Sequence, residues 1–486
     1  MKMKRLRPLF WRKSVSVVLS LSLLLPAASS ALADEIPAGT RSGKVQEVMD
    51  LLEKHHVSAP SRKKLEDAAV EAMIAALDDP YTDYFTPEEL QQFTSSIENN
   101  YVGIGVRISE DPLGIYIEEV FDGSPAKSAG LMPGDIIVAV EGESVAGMKS
   151  TDVTSKIVGP EGTKVNVTVL RGEERSDKQM TRQAVHIPPV SSRMFSGGIG
   201  YIEVTTFSSD ADEMMGEQLD ALKSQGLKSL VVDLRDNPGG LLDTAQQMAA
   251  MFVEKGVLIH TRNRDNINNQ VEISGGEKQP FPVYFLVNEM SASASEVLTG
   301  ALQDYGVVTV IGQKTFGKGS VQNMHELSSG GALKITIEEY LTPKLRKVNQ
   351  VGLEPDIKVE GSVPQLLKAL RLAGMKSFDL TLRGQTLEVE GQLVSDWFDV
   401  VRQDGKLYVP ARVLAALADI GVLWNEEKRA VELTSKDGSV SFVPEGQQVQ
   451  LKDGTSYVDI AAFTAKFPGI SWTDDGRKAT FRTSGE

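Results

Sequence analysis

The chain has no cysteine among its 486 residues. That single absence excludes disulfides, a cysteine nucleophile and thiolate metal sites. Histidine is scarce too, at five. His186, His260 and His325 could serve a conventional triad, but none sits in a recognisable motif. His55 and His56 lack acidic neighbours at metal-ligand spacing and read as solvated, so neither a metal nor a cofactor is expected. Positive charge is in deficit: 51 Lys and Arg against 66 Asp and Glu give a net charge of −15. Such a chain is a poor nucleic-acid binder, because that affinity rests on basic side chains neutralising phosphates. No low-complexity tract stands out.

The first 33 residues concentrate what positive charge there is. Lys2, Lys4, Arg5, Arg7, Arg12 and Lys13 precede an apolar stretch from Val15 to Leu25, followed by Ala31-Leu-Ala33. This is the pattern of an export signal with an A-x-A cleavage site. The apolar stretch is shorter than the ~20 residues that span a bilayer comfortably, which disfavours an uncleaved anchor. Removing the segment would take the net charge from −15 to −21. Export without cysteine suits a bacterial cell envelope, and an extracytoplasmic location is expected, secreted or associated with the envelope.

Length sets a prior of about three domains at ~150 residues each. Helical spacing of apolar residues in Val45 to Leu52 and Leu65 to Leu77 marks an N-terminal helical module, 34–93. Short alternating strands with intervening turns fill 94–185. From 186 to 374, strands such as Ile199 to Val204 and Ser229 to Leu234 alternate with helices, an α/β layer of βαβ units. Residues 375–486 contain an internal repeat: Gly405-Lys-Leu-Tyr-Val409, an apolar helix and Trp424 are echoed by Gly454-Thr-Ser-Tyr-Val458, an apolar helix and Trp472. A duplicated strand–helix–hairpin unit is expected there.

Chemistry concentrates in two segments of the α/β layer. Ser-Ala-Ser-Ala-Ser-Glu (291–296) lies between the apolar run Val283 to Val287 and a helix-spaced stretch, Glu296 to Asp304. The serines therefore sit at a strand-to-helix turn. There the free N–H groups at the helix start, with the positive end of its dipole, favour an oxyanion. A capping reading competes, since Ser is a preferred N-cap and Glu296 follows Ser293 by three. The second segment, Thr315-Phe-Gly-Lys-Gly-Ser-Val-Gln322, carries a lysine flanked by Gly317 and Gly319, and a glutamine four residues on. Lys314 has neither. A lysine works as a general base only when neutral, so its pKa of about 10.4 must be depressed by burial. Serine–lysine pairs are an established variant of triad logic.

Gly312 to Gly319 nearly spells a phosphate-binding loop, G-x-x-x-x-G-K-[ST]. It fails on three counts. Gly319 stands where a hydroxyl should meet Mg²⁺, Val321 to Leu327 looks extended with no helix to face a phosphate, and an exported protein has no cytosolic ATP.

The serine segment, Gln-Asp-Tyr-Gly (303–306) and Thr-Phe-Gly-Lys-Gly-x-Val-Gln together resemble the signature of the carboxyl-terminal processing peptidases, or tail-specific proteases. The 25 residues from Ser293 to Lys318 meet the family spacing. The resemblance implies Ser293 as nucleophile, Lys318 as base and Gln322 as the residue that holds the lysine. It further implies a crotonase/ClpP-like α/β core with no metal. Asp233 to Leu241 follows an apolar strand, and its Gly239-Gly240 bend could be simple turn chemistry. The family places an oxyanion-hole amide there, which assigns Gly239 N–H beside Ala294 N–H. Asp304 is also a family position. A carboxylate beside Lys318 would raise its pKa, so Asp304 reads as structural.

Upstream, Leu77-Asp-Asp-Pro-Tyr-Thr-Asp-Tyr-Phe85 resembles a segment of the same family, with Tyr81 where His often stands. In relatives this module caps the protease and helps dimerisation, so a homodimer is expected. Residues 94–185 resemble a PDZ domain. Its Gly103, Ile104, Gly105 and Val106 would offer N–H groups to a terminal carboxylate, while a peptide adds as a strand beside 105–108. Ile104, Val106, Val153 and Ile157 would line an apolar groove or belong to the core. Arg171 could link peptide occupancy to the protease or be merely solvated. The repeat at 375–486 resembles the small domain named after the N-terminal stalk of copper amine oxidases. No copper is implied, because the stretch has no histidine or cysteine, and its Tyr and Trp read as core.

The fold class expected is thus a multidomain α+β protein. Two functions compete: an endopeptidase acting on protein or peptide substrates with an accessible C-terminus, and a non-catalytic PDZ scaffold on a retired protease fold. A retired enzyme is expected to have lost Ser293, Lys318 or Gln322. All three are present.

Overall fold

The protein was analysed as a computed structural model that describes residues 43–484 apart from 112, 267 and 437. The expected export segment, 1–33, lies outside the described residues.

A six-stranded sheet organises the molecule. Its strands run in the order Val190–Phe195, Ile199–Val204, Ser229–Asp233, Val283–Val287, Thr309–Gly312 and Ile357–Lys358. The first pair is antiparallel and the other four pairs are parallel. Parallel strands joined by helical crossovers are covered on both faces, so they read as apolar runs rather than alternations. Successive residues nonetheless serve opposite faces. Leu230 and Val232, with Val283, Phe285 and Val287, pack under the helices Ala211–Ser224, Leu242–Ala250 and Ala294–Tyr305. Val231 and Leu286 point the other way.

That second face changes the expected domain division. Val231, Leu286 and Ile311 join one continuous core with Leu366 and Leu370 of the helix Ser362–Ala373, then with Leu380, Leu414 and Phe481 of the C-terminal region. Residues 375–486 were expected to be a separate module. They instead share their core with the sheet that carries the serine turn. Within them, strand Lys406–Pro410, helix Ala411–Ala418 and hairpin Gly421–Asn425/Ala430–Ser435 are followed by strand Thr455–Asp459, helix Ile460–Thr464 and hairpin Ile470–Asp474/Lys478–Thr483.

A second, antiparallel sheet escaped the sequence reading. It pairs Asp83–Phe85, Ala332–Leu341, Gly256–Asn263 and Asn268–Ile273 in that order, with Ser320–Glu326 also bonded to Ala332–Leu341. Strands drawn from such distant segments leave no local signal of their pairing. This sheet carries the lysine segment.

The PDZ region forms its own sheet of Val106–Asp111, Gly114–Val120, Ile136–Val140, Lys164–Arg171 and Glu174–Thr181, with helix Ser150–Ile157 packed on it. The C-terminal region touches it: Arg383 pairs with Asp111 at 3.5 Å, and Gln385 Nε2 donates to Glu110 at 3.1 Å. Two N-terminal helices, Gly43–His55 and Arg62–Ala75, bury no residue, and Val45, Val48, Leu51 and Met73 are exposed. A third, Pro87–Ile97, begins with a full capping box between Thr86 and Glu89.

The tightest link between the C-terminal region and the main sheet is ionic. Arg235 pairs with Asp233, which ends a central strand, and donates to Asp396 at 2.6 Å and to the Ser362 carbonyl at 2.7 Å. All three charged side chains are buried. Removing one partner of a buried pair exposes an uncompensated charge to a poor solvent. Asp396→Ala is therefore expected to destabilise the protein by about 3 kcal/mol, read from its urea midpoint against wild type, because Asp233 still partners the arginine.

Candidate active site

The three serines of the turn take three roles. Ser291 Oγ donates to the Leu234 carbonyl at 2.7 Å, and Ser295 Oγ donates to the Asn237 carbonyl at 2.9 Å. Both hydroxyls are thereby committed to joining the turn to the Asp233 to Leu241 loop. Ser293 stands between them at φ 56°, ψ −116°, immediately before helix Ala294–Tyr305. A non-glycine residue held there stores about 1–3 kcal/mol of strain, and such strain clusters at functional sites.

One carboxylate binds the two motif segments together. Glu296 is fully buried. Its Oε2 accepts from the N–H of Ser293 at 3.0 Å and of Lys318 at 2.8 Å. Its Oε1 accepts from Thr315 Oγ1 at 2.5 Å and from Gly317 N–H at 2.7 Å. Burial pushes the carboxyl's pKa up, while these four donors oppose the rise. The capping reading of Ser293 and Glu296 was thus half of the matter: the glutamate does bond back to the Ser293 amide, and it also holds the lysine loop. Tyr340 makes a second bridge, its buried hydroxyl lying 2.9 Å from the Lys318 carbonyl oxygen and 3.2 Å from that of Ser293. Glu296 was visible in the sequence only as a cap. Tyr340 carried no signal at all.

The two glycines that flank Lys318 are crowded by backbone. A Cβ on Gly319 would fall 2.1 Å from Asn349 N, and one on Gly317 would fall 2.9 Å from Gly352 N. Backbone therefore closes on Lys318 from both sides. Its side chain is 1% exposed, and Nζ has no hydrogen-bond partner among the described residues. Burial, then the charge of Lys334, lower its pKa to about 7, against the opposing pull of Glu296 and Asp79. Gln322 is also buried, but its Nε2 donates to Ser320 Oγ at 2.9 Å and Thr336 Oγ1 at 3.2 Å, and its Oε1 is unpartnered. The expected hold of Gln322 on Lys318 is not made in this structure: Nε2 is turned to the two hydroxyls, and Oε1 makes no hydrogen bond to the lysine amine.

The expected pair of oxyanion amides is brought together with one amide engaged. A Cβ on Gly239, at φ +105°, would lie 2.9 Å from Ala294 N and 2.9 Å from Ser293 Cβ. Only glycine fits. Its N–H, however, donates to Asn237 Oδ1 at 2.8 Å, while Ala294 heads the helix. Asp304 accepts from Lys344 N–H at 2.7 Å and pairs with Arg346 at 2.6 Å, in keeping with a structural reading. His186 pairs with Asp210, His260 contacts the Pro343 carbonyl oxygen and Gln270, and His325 is exposed.

In the PDZ region, Gly103 ends strand Asn100–Gly103 and Val106 opens the next, so Ile104 and Gly105 form the expected loop. Ile104, Val153 and Ile157 are core residues, with Val106 half-buried beside them. Burial raises the pKa of the Tyr101 hydroxyl, and the neighbouring Gly105 and Val106 amides oppose the rise. Arg171 grips Asp135 at 2.6 and 2.7 Å and the Gly130 carbonyl at 2.8 Å, which holds it inside the PDZ region. No group of three or more His, Cys, Asp or Glu residues that could hold a metal occurs among the described residues.

A serine on a strained strand-to-helix turn, a buried lysine and an adjoining PDZ region define the class of serine peptidases built with a peptide-binding module. Comparisons with known proteins give the family. Residues 198–359 match peptidase family S41 and residues 90–170 match the PDZ domain. A Staphylococcus aureus protein described as "Probable CtpA-like serine protease" is 35% identical over 330 residues, 67% of this chain and 66% of its own length. Its Staphylococcus saprophyticus counterpart is 34% identical, over 67% of each chain. The chain spans about two thirds of the length of these curated relatives. Among solved structures, the photosystem II D1 C-terminal processing protease is 29% identical over 68% of this chain and 96% of its own, with a TM-score of 0.41. The chain belongs to peptidase family S41.

Glu296→Gln replaces one acceptor oxygen by an N–H₂ group facing two donors. Leaving buried donors unmatched costs about 1–3 kcal/mol each. The variant is expected to lose about 3 kcal/mol of stability, checked by thermal melts against wild type.

Proposed function

We propose that this protein is an exported serine endopeptidase working through Ser293 and Lys318. The observation that carries the reading is a fully buried, unpartnered lysine amine whose loop is tied by Glu296 to the amide of a serine on a strained turn. At a pKa of about 7, about half of the Lys318 amines are neutral at pH 7, against roughly one in a few thousand at the ordinary value. Neutral Nζ takes the proton from Ser293 Oγ as Oγ attacks the scissile carbonyl. The oxyanion is met by Ala294 N–H at the helix start, and by Gly239 N–H once that amide leaves Asn237. The lysine returns the proton to the departing amine, and water then resolves the acyl-enzyme. Gln322 Oε1, buried and unpaired, is suited to steady the ammonium as it forms.

Substrates on this reading are non-native or regulatory proteins with an accessible C-terminus, taken up by the PDZ region at Gly103 to Val106. Pairing of two copies through the N-terminal helices would cover Val45, Val48, Leu51 and Met73, which stand exposed on helices that bury nothing within the chain. The basic, then apolar, first 33 residues favour an extracytoplasmic location at the cell envelope. The C-terminal repeat is read as a copper-amine-oxidase-N-like domain without copper.

The test is cleavage of casein by wild type, Ser293→Ala and Lys318→Ala. Both variants are expected to lose activity by roughly 10⁴-fold or more while melting near wild type. Equal activity in all three would sink the dyad. Because the base must be neutral, wild-type kcat/KM is expected to rise with pH through about 7 and then level off.

A further inference from the structure

The base of the proposed dyad is covered from outside the protease core. Tyr81 belongs to the N-terminal module, beyond both matched family regions. Its ring centroid lies 5.2 Å from Lys318 Nζ.

Tyr81 is held there by a chain of specific contacts. The Asp79 carboxylate accepts from Tyr81 N–H at 3.0 Å and from Thr82 Oγ1 at 2.6 Å, which shapes the turn. Thr82 Oγ1 in turn accepts from the Thr336 N–H at 3.1 Å. Directly after it, Asp83–Phe85 pairs with Ala332–Leu341, the strand that also pairs with the strand following Lys318. Lys334 on that strand is buried with its ammonium 5.1 Å from the Phe85 ring and 5.2 Å from the Phe93 ring, and those two rings stack at 4.6 Å. The N-terminal module is therefore clasped onto the lysine sheet, with Tyr81 directed at the amine.

We infer that Tyr81 is a positioning residue that closes the Lys318 amine off from water, so that the catalytic base is completed only when the N-terminal module is docked. This inference rests on the assignment of Lys318 as the base. Two opposed effects of the ring must be weighed. A cation near an aromatic face is stabilised, which would favour the ammonium, but for a partly exposed ring this is worth less than about one pKa unit. Exclusion of water disfavours the ammonium and can displace a buried lysine's pKa by about 3–5. Burial is the largest cause of the Lys318 shift, so the covering effect prevails. Three other charged groups act on the amine: Lys334 lowers its pKa further, while Glu296 and Asp79 raise it. The Tyr81 phenol is itself pushed up by burial, then by Glu296 and Asp79, and stays neutral where the enzyme works.

The experiment is the pH dependence of casein kcat/KM for the full chain, comparing wild type, Tyr81→Phe, Tyr81→Ala and Tyr81→Gln, with Lys318→Ala as control. Tyr81→Phe keeps the ring and is expected to overlay wild type. Tyr81→Ala opens the amine to water, so its midpoint is expected to rise by about one pH unit or more. Activity at pH 7 then falls about fivefold or more and recovers by pH 9, a recovery that simple loss of structure would not give. Should Tyr81→Ala melt too low to assay, Tyr81→Gln, which brings a polar head to the amine, carries the same expectation. An unmoved midpoint in Tyr81→Ala or Tyr81→Gln, with Lys318→Ala inactive, overturns the covering role alone. Activity retained by Lys318→Ala overturns the base assignment and this inference together.

Discussion

The buried carboxylate of Glu296 is the constraint on which the centre depends. A charge taken out of water is tolerated only where donors replace the lost hydration. Here four donors do so, and they come from both motif segments: the Ser293 amide on one side, and Thr315, Gly317 and Lys318 on the other. Satisfying the carboxylate therefore brings the lysine loop to the serine turn. Tyr340 adds a neutral bridge between the same two backbones. The consequence is a division of labour on Lys318: its N–H is anchored, whereas its amine is left dry and unpaired. An amine so placed cannot hold its proton as free lysine does.

The surrounding architecture explains how that dryness is reached. The serine turn stands at the end of a mostly parallel sheet, and the lysine enters from an antiparallel sheet assembled out of widely separated segments. Two further parts of the chain close on the centre. The N-terminal module brings Tyr81 to the amine, and the C-terminal region brings Asp396 to Arg235, four residues before Gly239. The C-terminal region, which looks like an appendage in the sequence, thus packs on the main sheet, because that sheet has two faces to bury.

How far these features were legible follows the range of the forces involved. The strand Val283–Val287, the helix behind Ser293 and the PDZ strand Gly114–Val120 were readable because period-two and helical patterns are written within a few residues. The hairpin Gly256–Asn263/Asn268–Ile273 was not read, since its place beside Ala332–Leu341 joins residues 75 to 81 positions apart. Gln322 and Gly239 were found as positions but not as contacts. The hydroxyls of Ser320 and Thr336 occupy the glutamine amide, and Asn237 occupies the glycine amide, choices made among neighbours that only folding supplies.

What the sequence determined by itself was the inventory: a chain without thiols, a serine turn ahead of a helix, a glycine-flanked lysine 25 residues beyond the central serine, and runs of strand and helix periodicity on either side. These are local patterns, set by backbone sterics and the periodicity of burial. What only the tertiary structure decided was the state of those groups. Burial committed Ser291 and Ser295 to backbone carbonyls, lowered the Lys318 pKa to about 7 and placed Tyr81 over its amine. Solvation and charge are properties of the whole surroundings of an atom, and here those surroundings are gathered from residues 79 to 340.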